Sequence, residues 1–405
     1  MANQFLADYA IDGYNRQDKF GYYTVGAFKT YSKLEAIELA NKTSGQLVWH
    51  FNDAVFQSLD WTKEPVESIQ EIYRRRAQQL RDTYDYLVLW YSGGADCENI
   101  LNTFLDNDIK LDEIVSYTNL EGTDDKKSQI NAEIFYVAMP AVEKAKLQQP
   151  DIKYRVIDMS QHMVNHFSTI GLDWIYGHNG MFTPLHETKS TLKLRITEWK
   201  DLFEQGKKVG FISGVEKPII MMRPDNKFYF RFNDFVIDNT VTPQMQMDNH
   251  AWDFNEFFYW TPDCPEMLLK QSHIIKNALK VKQHQSLEDQ DRAWPDGPPA
   301  GGFPGISTGS MAQLYTNDTE YVWIDTNDIT TMVYPKWRPI PYQSKAKSTI
   351  VFDKDMWFFN QGLNEQSLKN WIKGMNKVLA VTKRNKRDHF GATAVLHSPA
   401  YCLGN

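Results

Sequence analysis

Through the middle of the chain, short apolar runs alternate with stretches whose apolar residues recur every three or four positions. Tyr86 to Tyr91 (YLVLWY) has the length and composition of a buried parallel strand, and Asp112–Thr118, Ile152–Asp158 and Lys208–Ser213 repeat the pattern. Between them lie helical spacings. Ile100, Leu101, Phe104 and Leu105 follow the first run. Ile130, Ile134, Ala138, Ala141 and Ala145 share a face over 126–149, where Pro140 is expected to kink or split the helix, and 187–205 reads as one further helix. Strands alternating with helices predict an α/β fold with a doubly wound, mostly parallel, Rossmann-like sheet covered on both faces.

The flanks read differently. Residues 1–62 form a small α+β unit, with strands at Gly21–Gly26 and Gln46–Phe51 and a helix at Lys33–Asn41; His50 sits among apolar neighbours and reads as structural. A helix is expected over Glu64–Asp82, with Pro65 in its first turn, Val66, Ile69, Ile72, Tyr73 and Leu80 inward, and Arg74, Arg75 and Arg76 fanned around it, read as a solvated face with phosphate binding as the other reading. Ile219–Met222 and Phe228–Phe232 predict a hairpin that extends the sheet edge or covers the cleft. Beyond the aromatic stretch Trp252–Trp260, a helix capped by Thr261 or Asp263 runs to about Val281, with Lys270, His273 and Lys276 loosely on one side that reads as solvated or, in the other reading, faces the cleft. Trp294–Gly305 reads as an ordered Pro/Gly-rich connection. It separates 63–292, the α/β domain, from 293–405, a C-terminal α+β extension with strands at Tyr321–Asp325 and Ser348–Phe352, a helix at Asn364–Val381 and a solvated basic run at Lys383–Arg387.

Composition narrows the function classes. A net charge of -7 and pI near 5.8 argue against a broad nucleic-acid surface. Three separated cysteines, Cys97, Cys264 and Cys402, argue against a disulfide framework or a zinc site built on Cys pairs. No run has the ~18 apolar residues that span a bilayer, and the first residues lack a basic segment followed by an apolar one. The expected location is cytoplasmic, with no membrane partner; homo-oligomerisation is left open.

The chemistry gathers where the first run ends. Ser92-Gly93-Gly94-Ala95-Asp96-Cys97 breaks the strand with two glycines and opens a helix, an arrangement that aims backbone N–H groups and a positive dipole end at one spot, as a phosphate requires. The other strand ends, Tyr117, Thr118 and Asn119 after the second and Ser213-Gly214-Val215-Glu216-Lys217 after the fourth, should border the same cleft. The turn resembles the S-G-G-x-D-S signature of the PP-loop ATP pyrophosphatases, with Cys97 in place of the last serine. The resemblance implies a HUP-like fold, ATP and Mg²⁺ as cofactors, and cleavage between the α and β phosphates with transfer of AMP to an unidentified small-molecule or macromolecular acceptor. It assigns nucleotide contacts to Ser92, Gly93, Gly94, Ala95, Asp96, Cys97, Tyr117, Thr118, Ser213 and Gly214, catalysis to Asp96 and Lys217, and metal binding to Asp96 and Glu216. Glu121, Asp124 and Asp125 fall in the region where that family recognises the nucleoside, with solvated acids as the other reading.

The patterns at Asp60–Pro65 (DWTKEP), Tyr84–Leu89 (YDYLVL) and Phe258–Asp263 (FYWTPD) resemble those of phage-type proteins described as asparagine-synthase-like or phosphosulfate-reductase-like, a resemblance that would place the chain in a host cytoplasm. Ala2 stands where a glutaminase would begin with Cys, and Cys402 lacks the Glu and His of the reductase motif. Three readings follow: an adenylating enzyme that activates a carboxyl, amide or carbonyl oxygen, a reductase-like enzyme using Cys402, and a nucleotide-binding interaction protein with a degenerate loop. A reactive thiolate at Cys97, on a helix N-terminus, is a further reading.

Overall fold

The computed structural model describes residues 16–119, 131, 133–178, 182–192, 196–223, 225–238, 253–293, 313–316, 320–323, 326–336, 356–360, 365–383 and 393–405. Glu121, Asp124, Asp125, Trp294–Gly305, Ser348–Phe352 and most of Lys383–Arg387 lie outside these.

Strands β1 (Tyr22–Val25), β2 (Phe28–Thr30) and β3 (Leu47–His50) make an antiparallel sheet in the order β2-β1-β3, with α1 (Lys33–Thr43) connecting the last two. His50 is satisfied there by Asp53 at 2.7 Å and Thr24 at 3.0 Å. Helix α2 spans Ile69–Thr83, later than expected. Ser68 and Glu71 form a capping box that fixes its start, which leaves Pro65 outside the helix and Val66 fully exposed.

The central sheet is all-parallel: β4 (Tyr86–Trp90), β5 (Glu113–Thr118), β6 (Lys153–Asp158), β7 (Val209–Ser213) and β10 (Asp253–Phe257), in the order β10-β7-β4-β5-β6. Its helices are α3 (Ala95–Asp106), α4 (Met139–Gln148), α5 (Ser160–Thr169), α6 (Pro184–Leu192), α7 (Thr197–Glu204) and α8 (Pro265–Ala293). Alternation along β4 divides the core. Leu87 and Leu89 pack with Ile72, Phe104 and Leu279 on one face, and Val88 packs with Phe167 and Trp199 on the other. The helix expected over 187–205 is two, α6 and α7. Pro140 splits the preceding helical stretch as expected: it has no N–H for the carbonyl four residues back, and a π-helical turn, Ile134–Ala138, precedes α4.

The hairpin expected at the sheet edge or over the cleft starts a second sheet instead. β8 (Ile220–Met222) and β9 (Phe228–Phe230) join β11 (Gln313–Thr316), β12 (Glu320–Trp323) and β13 (Tyr401–Gly404) in the order β12-β11-β8-β9-β13. Helices α9 (Thr326–Val333) and α10 (Gln366–Thr382) lie between β12 and β13, α10 packing on α5 and α1.

Several side chains expected in solvent are buried. Arg76 is 2% exposed, bonded to Glu256 at 2.8 Å and near Asp263 at 3.6 Å, and Lys19 reaches the same carboxylates at 2.5 and 2.9 Å. This buried quartet fastens the N-terminal unit to the central sheet. Asp263 is thereby occupied, while Thr261 accepts from its N–H ahead of α8. His273 and Lys276 are buried too, against the carbonyls of Trp61 at 3.0 Å and Leu403 at 2.9 Å, and Lys270 pairs with Glu64 at 2.7 Å. That side of α8 holds the 61–65 segment and β13.

Candidate functional site

β4 lies in the middle of its sheet. The chain builds outward from it through β5 and β6, then crosses back to add β7 on its other side, which puts the topological switch between β4 and β7. The crevice beyond the carboxyl ends of these two strands is where such sheets take ligands. The turn 92–97 and the segment 213–217 meet there.

Glycines make that meeting close. Gly93 has φ +84°, in the left-handed region, and a Cβ on it would stand 3.3 Å from Val137 and from the backbone of Ala138, in the π-helical turn. A Cβ on Gly214 would stand 3.1 Å from Asp96 Cβ and 3.3 Å from the amide nitrogen of Cys97. Gly94 caps α3, its N–H donating to Ser92 Oγ at 3.2 Å. The N–H groups of Ala95, Asp96 and Cys97, in the first helical turn, have no intrahelical acceptors, and the dipole there favours an anion.

Asp96 is the hub. Its Oδ1 accepts from Lys217 Nζ at 3.0 Å and from the Tyr334 hydroxyl at 2.6 Å, and its carbonyl accepts from the Tyr259 hydroxyl at 2.8 Å. Tyr259 is oriented in turn by Asn99 Nδ2 at 3.0 Å. Burial alone would lower the pKa of Lys217, but Asp96, and after it Glu216, outweighs burial and raises it. Lys217 therefore brings a fixed positive charge to the loop. Among the described residues no side chain donates to Asp96 Oδ2; both recorded donors, Lys217 and Tyr334, meet Oδ1. Among the described residues no three His, Cys, Asp or Glu side chains converge as a metal cage, so a cation held by Asp96 or Glu216 would take its other ligands from phosphate and water.

Cys97 is tied back to the strand that precedes the turn. Its thiol donates to the Trp90 carbonyl at 3.3 Å, and burial pushes its pKa up to about 11. The thiolate expected as one reading is therefore disfavoured near neutral pH.

Ser92 through Cys97, Ser213, Gly214 and Lys217 thus lie together at the carboxyl ends of β4 and β7, with Glu216 half-buried beside Lys217. Tyr117 and Thr118 stand at the next strand end but are engaged elsewhere. Thr118 is buried and donates to Asn131 Oδ1 at 2.6 Å. The Tyr117 ring stacks on Trp90 at 5.1 Å and receives Lys189 Nζ 4.8 Å from its centroid. Cys402 lies in β13 opposite Tyr229, in the second sheet. A groove of about 350 Å³ runs between α3 and α4, lined by Glu98, Asn102, Lys144 and Lys336, on the flank of α3.

Sequence reasoning missed Tyr334, Tyr259 and Glu133, whose Oε1 is 3.7 Å from where a Gly94 Cβ would be. Tyr334 is 238 residues from Asp96, in a short turn after α9 with no local pattern to mark it. Fold and site together define an α/β protein with an all-parallel, Rossmann-like sheet flanked by helices and a glycine turn at its switch point. Comparison with protein-family models gives no match, and neither does comparison with curated proteins.

Proposed function

We propose that the protein is an ATP-dependent adenylating enzyme. ATP is split between its α and β phosphates, the AMP moiety passes to a carboxyl, amide or carbonyl oxygen of the acceptor, and pyrophosphate leaves. An amine or similar nucleophile then displaces AMP. The observation that carries this reading is the glycine turn opening α3 at the switch point, with Gly214 packed against it and Lys217 held at Asp96.

The division of labour follows from the chemistry. The α3 N–H groups and Ser92 bind phosphate oxygens, and Lys217 offsets the charge that develops on the leaving pyrophosphate. Asp96 Oδ2 and Glu216 are suited to Mg²⁺, which takes one or two carboxylates and fills its octahedron with phosphate and water. The metal supplies charge neutralisation; the chain supplies position.

The test is product analysis with ATP, Mg²⁺ and panels of carboxylic acid and amide acceptors. AMP and pyrophosphate are expected, and Lys217→Met should lower kcat by about 10²–10³-fold, the usual effect of removing one such electrostatic donor. Release of ADP and orthophosphate would overturn the reading. Saturable ATP binding without cleavage would favour an interaction protein that uses the nucleotide as a ligand.

A further inference from the structure

Tyr334 reaches the loop from the turn after α9, far along the chain, and its position is itself fixed by a relay. Gln271 Nε2 on α8 donates to the Tyr73 hydroxyl at 3.0 Å, and Tyr73 on α2 donates to the carbonyl of Val333 at 2.9 Å. The next residue, Tyr334, donates to Asp96 Oδ1. Its ring is buried, 5.4 Å from the Tyr259 centroid and 5.2 Å from Lys217 Nζ. Side chains of α8 and α2 thus hold the end of α9, and with it the residue that donates to Asp96 Oδ1.

The terminal torsion of an aspartate is soft and nearly two-fold, so one hydrogen bond leaves the carboxylate free to rock. Two donors on the same oxygen from different directions, Lys217 and Tyr334, do not. They also saturate Oδ1, which leaves Oδ2 as the oxygen available to a cation. From this geometry we infer that Tyr334 is a positioning residue: it orients Asp96 so that Oδ2 serves as ligand to the divalent cation accompanying the nucleotide. The inference rests on the reading that the loop takes a metal–nucleotide complex. It adds that the segment around α9 belongs to the site.

The experiment uses the full chain and α,β-methylene-ATP, which cannot be split at the proposed bond, with calorimetry in the presence and absence of Mg²⁺. Tyr334→Phe keeps the ring and removes only the hydroxyl. Tyr259→Phe is the control, because its hydroxyl serves the Asp96 carbonyl and not the carboxylate. For Tyr334→Phe, metal-free affinity should stay within about two-fold of wild type, while the Mg²⁺-dependent gain should fall about three- to ten-fold, the size of one ordinary net hydrogen bond. Tyr259→Phe should keep the full gain. An unchanged gain in Tyr334→Phe would overturn the inference, as would an equal loss in both variants, which would mark general loosening. Failure of the wild type to bind the analogue would overturn the parent reading, and the inference with it.

Discussion

At the scale of single residues, the loop depends on two positions where a side chain cannot be added cheaply. Gly93→Ala would place a Cβ in the left-handed region and within 3.3 Å of Val137, and should cost about 1–2 kcal/mol in a urea melt, with weaker nucleotide binding. Arg76 poses a different problem. Its guanidinium is buried between Glu256 and Asp263, so Arg76→Met would leave two buried carboxylates with Lys19 alone and should cost about 3–5 kcal/mol. A run of three arginines on a helix covers most of its circumference. Nothing local distinguishes the one that turns inward; its partners lie far along the chain, on β10 and just after it.

At the scale of elements, the capping box sets where α2 begins. Ser68→Ala should destabilise by about 1 kcal/mol, whereas Val66→Ser, upstream of the cap and in solvent, should stay within about 0.5 kcal/mol, both read from urea midpoints. The motif Ser68-x-x-Glu71 stood in the sequence, but the apolar stripe and Pro65 drew the start earlier. Four of the five parallel strands were legible, β4 and β7 as compact apolar runs and β5 and β6 as short stretches rich in β-branched and aromatic residues. β10 was not, since Asp253, Asn255 and Glu256 interrupt its pattern and Glu256 is buried by ion pairing. The glycine turn was legible for the same local reason. The second sheet, the buried side of α8 and Tyr334 depend on partners distant along the chain, which periodicity does not encode.

At the scale of the whole molecule, acid should loosen the side of the sheet covered by α5 and α6. Glu187 on α6 binds His166 of α5 at 2.6 Å and the buried His178 at 2.7 Å. Burial would raise its carboxyl, but the two histidines outweigh burial and bring it down to about 2 from 4.5. A lowered folded-state value favours the ionised form, so the contribution is complete above about pH 4.5 and is lost as pH falls toward 2. It amounts to on the order of 3 kcal/mol. Urea midpoints should therefore drop more steeply between pH 5 and 2 in wild type than in Glu187→Gln. Equal slopes would assign the acid sensitivity to other groups.

β13 has a consequence for the order in which the molecule assembles. It lines one edge of the second sheet, and next to it Phe232 and Ser398, 166 residues apart, exchange hydrogen bonds. During synthesis β9 is made long before its partner, and closing so long a loop carries an entropic cost that only the finished contacts offset. The nascent chain thus holds an unpaired strand edge, FYF, that invites pairing with a neighbouring polypeptide. A ribosome-bound chain halted before residue 401 should then depend on a chaperone to stay in solution, and release of the last strand should end that dependence.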